Sequence, residues 1–315
     1  MIDQIDPWWT GNLVLPEDPL RYWIRERANI YYSRLRGLPA PWSKDPVFQH
    51  CYFRNVYHRQ DCHSRWIYNN ISRPHRDHEY LWFMVAIARG LSWVPTVEQL
   101  IEIPGAWPGN PGFSYSTFAS ALVSISGRGH RWFGPQVGMV IPKNFKSHEL
   151  CSAPIVVKYV NGLFGTMWTI RDEVKDTLEH AETMMGAYNL ISMDRTIIGW
   201  GKTLAYALVK DLRLTRYLNQ ARDLYFWAPR TSYLVRGLAR LVDGTGAEYI
   251  PYHTDSQYIR RLRQIMGMVR GGMPPGFEDM EMGDLSQAIC ETGKYLRFYR
   301  KEKQLKGKPK YRASR

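Results

Sequence analysis

The stretch Ile197-Ile198-Gly199-Trp200-Gly201-Lys202-Thr203 decides how this chain is read. Two glycines, one residue apart and flanked by apolar side chains, mark a turn where backbone comes close to its surroundings. Glycine suits such an approach because a side chain would block it. On both sides of the turn, apolar residues recur at helical spacing. Ile170, Val174, Leu178, Ala181, Met185 and Tyr188 form one stripe before it, and Leu204 and Leu208 begin another after it. A helix starting just past Gly201 turns its free N-terminal amides outward, beside the charge of Lys202 and the hydroxyl of Thr203. Such an end suits a phosphate.

Outward from the turn the periodicity stays helical. Stripes occur at Ile24, Ala28, Tyr31 and Leu35; at Leu234, Leu238 and Leu241; at Ile259, Leu262, Met266 and Val269; and at Leu285, Ile289 and Leu296. Residues 80–89 are almost wholly apolar, which predicts a helix buried on most sides. Strand-like alternation is confined to Val137–Ile141 and Ile155–Val160. The chain reads as all-α, in four stretches. Residues 1–103 form an N-terminal helical part. Residues 104–165 form an irregular connection, rich in Gly and Pro near its start, with room for a small β-hairpin. Residues 166–299 form a C-terminal helical part with a Gly/Pro loop at 271–283, and residues 300–315 form a basic tail.

The chain has 315 residues and 44% hydrophobic composition, enough for a full core. Its 42 Lys and Arg against 29 Asp and Glu give a formal charge of +13. Such an excess attracts polyanions: DNA, RNA, acidic lipid or nucleotide phosphates. The tail supplies +7 of it, from eight cations and Glu302, and would serve as a DNA-backbone arm, a solubilising end, or both. There is no apolar run of the length a membrane span needs, and the N-terminus lacks the basic and apolar regions of a secretion signal. Cys51, Cys62, Cys151 and Cys290 lie far apart, which argues against a disulfide scaffold or a four-cysteine iron–sulfur site. A reduced, cytoplasmic setting is expected. His50, Cys51, His58, Cys62, His63, His75 and His78 crowd one segment, but none has the close Cys spacing of zinc sites, so no metal or other cofactor is assigned.

The Gly-Trp-Gly turn resembles the helix-hairpin-helix of DNA-backbone binders. In the glycosylases built on that motif, an essential aspartate follows the hairpin at a similar remove to Asp223, 22 residues beyond Gly201. The resemblance implies a glycosylase-like fold, with Asp223 facing a pocket for a base taken out of the duplex. Asp211 is the competing carboxylate, capping its helix or pairing with Arg213. Trp200, at the tip, could face DNA.

Three further stretches sharpen the resemblance. They are Pro39-Ala40-Pro41-Trp42-Ser43-Lys44-Asp45-Pro46, Phe53-Arg54-Asn55-Val56-Tyr57-His58-Arg59-Gln60-Asp61-Cys62-His63-Ser64-Arg65-Trp66, and Cys290-Glu291-Thr292-Gly293-Lys294-Tyr295-Leu296-Arg297. With the hairpin between them, and Arg236-Gly237-Leu238 as a weaker match, they resemble the α-glutamyl/putrescinyl thymine pyrophosphorylases. These are amino acid:DNA transferases of phages that hypermodify thymine, and the setting implied is the cytoplasm of an infected bacterium. The chain departs from that family where Pro229–Val235 replaces a Gly-Pro-Gly type turn.

The resemblance implies a substrate: double-stranded DNA whose 5-hydroxymethyluracil carries a pyrophosphate ester made by a separate DNA-base kinase. A free amino acid or polyamine then displaces the pyrophosphate. On this reading Asp223, Asp61 and Glu291 are the catalytic candidates. Arg54, Asn55, Tyr57, Arg59, Arg65, Lys294, Arg297 and Arg236 are candidates for binding base and pyrophosphate. Gly199, Gly201, Lys202 and Thr203 would hold DNA. Plainer roles stand beside these: an Arg59–Asp61 or Arg65–Asp61 ion pair, a Glu291–Lys294 bridge at i,i+3, Asn55 as a cap, Tyr57 as core and Cys290 as a small buried residue. A glycosylase acting on a modified base, or a non-catalytic DNA-binding module, are the alternative functions.

Overall fold

A computed structural model describes residues 17–127, 132–134, 153–242, 254–270 and 279–299. Among them every regular element is helical and no strand forms, so the fold is all-α as expected. The helices in chain order are α1 (Glu17–Leu35), α2 (Pro46–His50), α3 (Cys62–Ile67), α4 (Leu81–Leu91), α5 (Val94–Glu102), α6 (Tyr115–Gly127) and α7 (Ala153–Val160). They continue with α8 (Thr166–Thr169), α9 (Arg171–Glu179), α10 (Met184–Met193), α11 (Lys202–Leu212), α12 (Ser232–Val242), α13 (Asp255–Arg270) and α14 (Met282–Tyr299).

The chain divides into two compact units. Unit 1 joins Met1–Asp61 to Leu224–Arg315, and unit 2 is Cys62–Asp223. The division expected at 104 and 166 differs from this, because α14 packs against α1, α2, α12 and α13 and so brings early and late helices together.

In unit 1, α12 crosses α14 at two glycines. A Cβ on Gly293 would lie 2.6 Å from the Gly237 Cα, and one on Gly237 would lie 2.7 Å from the Ile289 carbonyl oxygen. Only hydrogen fits between these backbones, which explains the glycine in both Arg236-Gly237-Leu238 and Thr292-Gly293-Lys294. From α1, Leu20, Trp23, Ile24, Ala28 and Ile30 enter the core, while Leu35, expected on the same stripe, is 58% exposed. Trp23, Phe48, Phe53 and Tyr295 form an aromatic cluster with neighbouring ring centroids 5.1–6.5 Å apart. The Pro39–Pro46 block is a corner. Asp45 caps α2 by accepting from the Val47 amide at 2.7 Å, and its other oxygen accepts the Tyr22 and Tyr295 hydroxyls at 3.0 and 2.8 Å.

In unit 2, α4 is buried along its whole length, as its composition predicts. That includes Arg89, whose guanidinium grips the Asp211 carboxylate of α11 with two nitrogens and donates to Ser64 Oγ at 2.8 Å. Pairing on this scale is what lets a charge lie 3% exposed. Asp211 therefore pairs across the core with Arg89. Beside the pair, burial and the Arg89 charge lower the His63 pKa to about 4.

Two sequence expectations fail here. Ile155–Val160 is not a strand but most of α7. Its β-branched run suits a strand, yet Val156, Val160, Leu163 and Phe164 are buried at i, i+4, i+7 and i+8, and that helical face wins. With α6, it makes the described parts of 104–165 largely helical. The long stripe from Ile170 to Tyr188 is interrupted between α9 and α10, where Thr183 caps the new helix by accepting from the Gly186 amide at 3.0 Å. Val137–Ile141, the loop at 271–278 and the basic tail lie outside the described residues.

The two kinds of glycine separate in a denaturant melt. Gly293→Ala should cost about 1–3 kcal/mol by overpacking the crossing. Gly267→Ala, on the exposed face of α13 with open space around it, should instead stabilise by about 0.5–1 kcal/mol.

Candidate functional site

Asp284, Gln287, Glu291 and Lys294 stand three, four and three residues apart, so they share one face of α14. Against that face runs the segment from Tyr52 to Asp61, which has no strand beside it, among the described residues, to satisfy its backbone. The α14 side chains do so in reverse chain order. Asp284 accepts from the His58 amide at 2.9 Å, and Gln287 donates to the Asn55 carbonyl at 2.8 Å. Glu291 accepts from the Arg54 amide at 3.4 Å, and the Lys294 ammonium donates to the Tyr52 carbonyl. From the other side, buried Arg27 of α1 donates to the Phe53 and Arg54 carbonyls at 3.3 and 2.9 Å. Asn55 then closes the turn, its amide donating to Asp61 at 2.8 Å and its side chain to the Gln60 carbonyl at 2.7 Å. A backbone held this way on both sides costs little to keep buried.

This layer gathers seven of the candidate residues: Arg54, Asn55, Tyr57, Arg59, Asp61, Glu291 and Lys294. Their situations differ. Tyr57 is 3% exposed; burial and the neighbouring Asp279 push its phenol well above the ordinary value. Arg59 lies over the Tyr57 ring at 4.8 Å and pairs with Asp279 at 2.6 Å, so its ion-pair partner is not Asp61. Lys294 sits 3.4 Å from Glu291 and over the Phe53 ring. Asp61 accepts from Asn55 and, at 3.4 Å, from Gln287. By contrast, among the described residues the guanidinium of Arg54 has no hydrogen bond or ion pair, and the same holds for Arg236 and Arg297. Arg236 flanks the glycine crossing, and Arg297 lies one turn past Gly293.

Unit 2 holds the remaining candidates. Arg65 is exposed on α3. The helices α10 and α11 pack together across the turn at 194–201. Gly199 has φ +87°, a conformation that favours glycine, and a Cβ there would press on Leu163 at 3.1 Å. The turn is clasped from beneath by a π-turn at Asn161–Gly165. Trp200 donates its indole N–H to the Leu163 carbonyl at 2.8 Å, and the Ile198 amide donates to Thr166 Oγ1 at 3.1 Å. Trp200 is thus 2% exposed and anchors the turn instead of facing outward; Ile198, 58% exposed, is the apolar side chain at the surface. Gly201 is the N-cap of α11 and offers no side chain to it, leaving exposed Lys202 beside the open helix end. Asp223 accepts from the Met184 and Met185 amides at 2.7 and 3.0 Å, so both its oxygens cap the start of α10.

Residues 17–305 match the family described as the helical domain of 5-hmdU DNA kinase. The chain belongs to that family. Membership ties this helical domain to the modification of hydroxymethyluracil in DNA, the route to hypermodified thymine. No curated protein and no solved structure matches it.

Within this helical domain, Gly201-Lys202-Thr203 is the one place where the end of a nucleotide-phosphate loop occurs. The loop's first glycine is missing, since Thr196 stands in its place, and the turn follows helix α10, not a strand. No described helix is long and apolar enough to cross a membrane. Cys290, among the described free cysteines, is half-buried.

Several working residues escaped the sequence reading. The spacing of Asp284 and Gln287 with Glu291 and Lys294 was visible, but nothing local marked the segment 52–58 as their partner. Leu163 and Thr166, which hold the hairpin, carry no chemical signature at all.

The position of Asp223 makes a plain expectation. Asp223→Ala removes both carboxylate bonds to the start of α10, leaves the Thr183 cap and should lower stability by about 1–2 kcal/mol, while Asp223→Asn, keeping one acceptor, should lose about half as much in the same melt.

Proposed function

We propose that this chain is a DNA base-modifying transferase. Its substrate is 5-pyrophosphoryloxymethyluracil in DNA, and it replaces the pyrophosphate with an amine from an amino acid or polyamine. The nitrogen–methylene bond forms as the carbon–oxygen bond breaks. The pyrophosphate leaves with the electron pair, and the nitrogen sheds one proton. The observation that carries this reading is the unpaired guanidinium of Arg54, on a tightly held backbone, in a family tied to hydroxymethyluracil.

A leaving group with so much negative charge requires cations that are already in place and not neutralised by the protein. Arg54 meets that requirement, with Arg236 and Arg297 as further uncommitted cations of unit 1. Arginine holds pyrophosphate oxygens two at a time. Glu291 is assigned two tasks: it fixes the Arg54 backbone, and its carboxylate takes the proton from the attacking amine. Asn55, Asp61 and Lys294 position the segment. Tyr57 and Arg59, already engaged with Asp279, support its far end. The hairpin of unit 2, through Gly199, Gly201, Lys202 and Thr203, holds the DNA backbone, with Arg65 as a further phosphate contact. The activated base comes from a separate DNA-base kinase.

A kinase reading draws on the family's description, but the broken phosphate loop around Gly201 speaks against nucleotide phosphate handling by these residues. A glycosylase reading needs a free carboxylate at Asp223, and both its oxygens are engaged.

The test is mass spectrometry of nucleosides from DNA carrying the pyrophosphorylated base, after incubation with the full chain, amino acids and polyamines. The expected result is a new nucleoside of uracil-methylene plus one amine, with pyrophosphate released. Arg54→Ala should slow its formation about 100-fold. Abasic DNA with a free base would replace this reading with a glycosylase, and unchanged DNA would end it.

A further inference from the structure

The exposed surface of α13 is a single stripe. Arg260, Arg263, Gln264, Gly267 and Arg270 face solvent at i, i+3, i+4, i+7 and i+10. The opposite face, with Tyr258, Leu262, Ile265, Met266 and Val269, is buried. The stripe carries three arginines and no acid; Asp255, at the start of the helix, is tied to Arg230 at 2.7 Å.

Beside this stripe two neighbouring aromatic rings are left in water. Tyr225 is 37% exposed and Phe226 is 52% exposed. Neither is loose. The Arg270 guanidinium lies 5.0 Å from the Tyr225 ring centroid and that of Arg263 5.7 Å from the Phe226 centroid. Arg263 also donates to the Phe226 carbonyl at 3.2 Å, Arg270 donates to the Met280 carbonyl at 3.1 Å, and the Met282 amide donates to the Leu224 carbonyl at 2.8 Å. The nearby carboxylate of Asp279 is already paired with Arg59. The face therefore presents fixed rings and positive charge together.

We propose that this face of unit 1 is a contact for unpaired DNA, with Tyr225 and Phe226 stacking on bases and Arg260, Arg263 and Arg270 meeting the phosphates. The proposal rests on DNA being the substrate, but not on the transfer chemistry or on the hairpin. Charge complementarity favours a polyanion. The alternation of ring and guanidinium favours one with exposed flat bases, because every base has a face to stack and a paired duplex hides it. Extruding a base for chemistry leaves the local strand unpaired, which is the form such a face takes.

The experiment is fluorescence anisotropy of the full chain with a labelled oligothymidine strand and with a duplex of the same length. Tyr225→Ala and Phe226→Ala should each weaken single-strand binding about five-fold or more and leave duplex binding within about two-fold. Phe226→Trp, which keeps a ring, should retain it. Arg260→Ala should weaken single-strand binding and flatten its salt dependence. Lys202→Ala, on the hairpin, should weaken duplex binding with the rings intact. Ring variants that bind the single strand as the parent does would overturn the proposal. So would equal losses on strand and duplex, or loss in the arginine variant alone, which marks phosphate contact without stacking. Failure of the whole chain to bind either DNA would instead remove the functional reading on which this rests.

Discussion

Unit 1 depends on one arrangement: the polar face of α14 satisfying the backbone of the segment 52–58. A loop with no strand beside it has amides and carbonyls that cannot be buried unpaired. Here Asp284, Gln287, Glu291 and Lys294 meet them in register, and Arg27 meets them from α1. The close crossing at Gly237 and Gly293 seats α14 for this task, and the Asp45 corner ties α14 back to α1 through Tyr295 and Tyr22. The consequence is chemical. Backbone contacts hold the segment, so the Arg54 side chain is not needed for structure and stays uncommitted.

Unit 2 uses the same logic on a turn. Gly199 supplies the left-handed conformation, and the π-turn at Asn161–Gly165 supplies the Leu163 carbonyl that receives Trp200. π-Turns of this kind disturb the helix's own ladder and so make a carbonyl available to a neighbour. Behind the hairpin, the buried Arg89–Asp211 pair joins α4 to α11, and Asp223 fixes the first turn of α10. Asp223, a catalytic candidate from the sequence, is engaged through both oxygens in holding this unit in shape.

The helical character was legible from apolar spacing alone, and so was the fully buried α4, because both depend on local pattern. The strand reading of Ile155–Val160 failed because β-branched residues favour strands in isolation, while the buried face at Val156, Val160, Leu163 and Phe164 is a tertiary fact. The candidate layer was legible as a set of residues: the two motif blocks at 53–61 and 290–297 do meet. What each residue does there was not. Tyr57, Arg59 and Asp61 carry chemistry-bearing groups, but their partners Asp279, Gln287 and Asn55 are decided by contacts hundreds of positions away or by a turn no pattern announces. Trp200 misled for the same reason, since its partner lies in another helix.

The central claim is that Arg54 is held ready for a polyanion. Titrating inorganic pyrophosphate into the full chain by calorimetry, for the parent and for Arg54→Ala, addresses it without DNA or amine. The parent should bind, and the variant should lose about ten-fold or more in affinity with the melting midpoint unchanged. Equal binding by both proteins, or no binding by the parent, would contradict it.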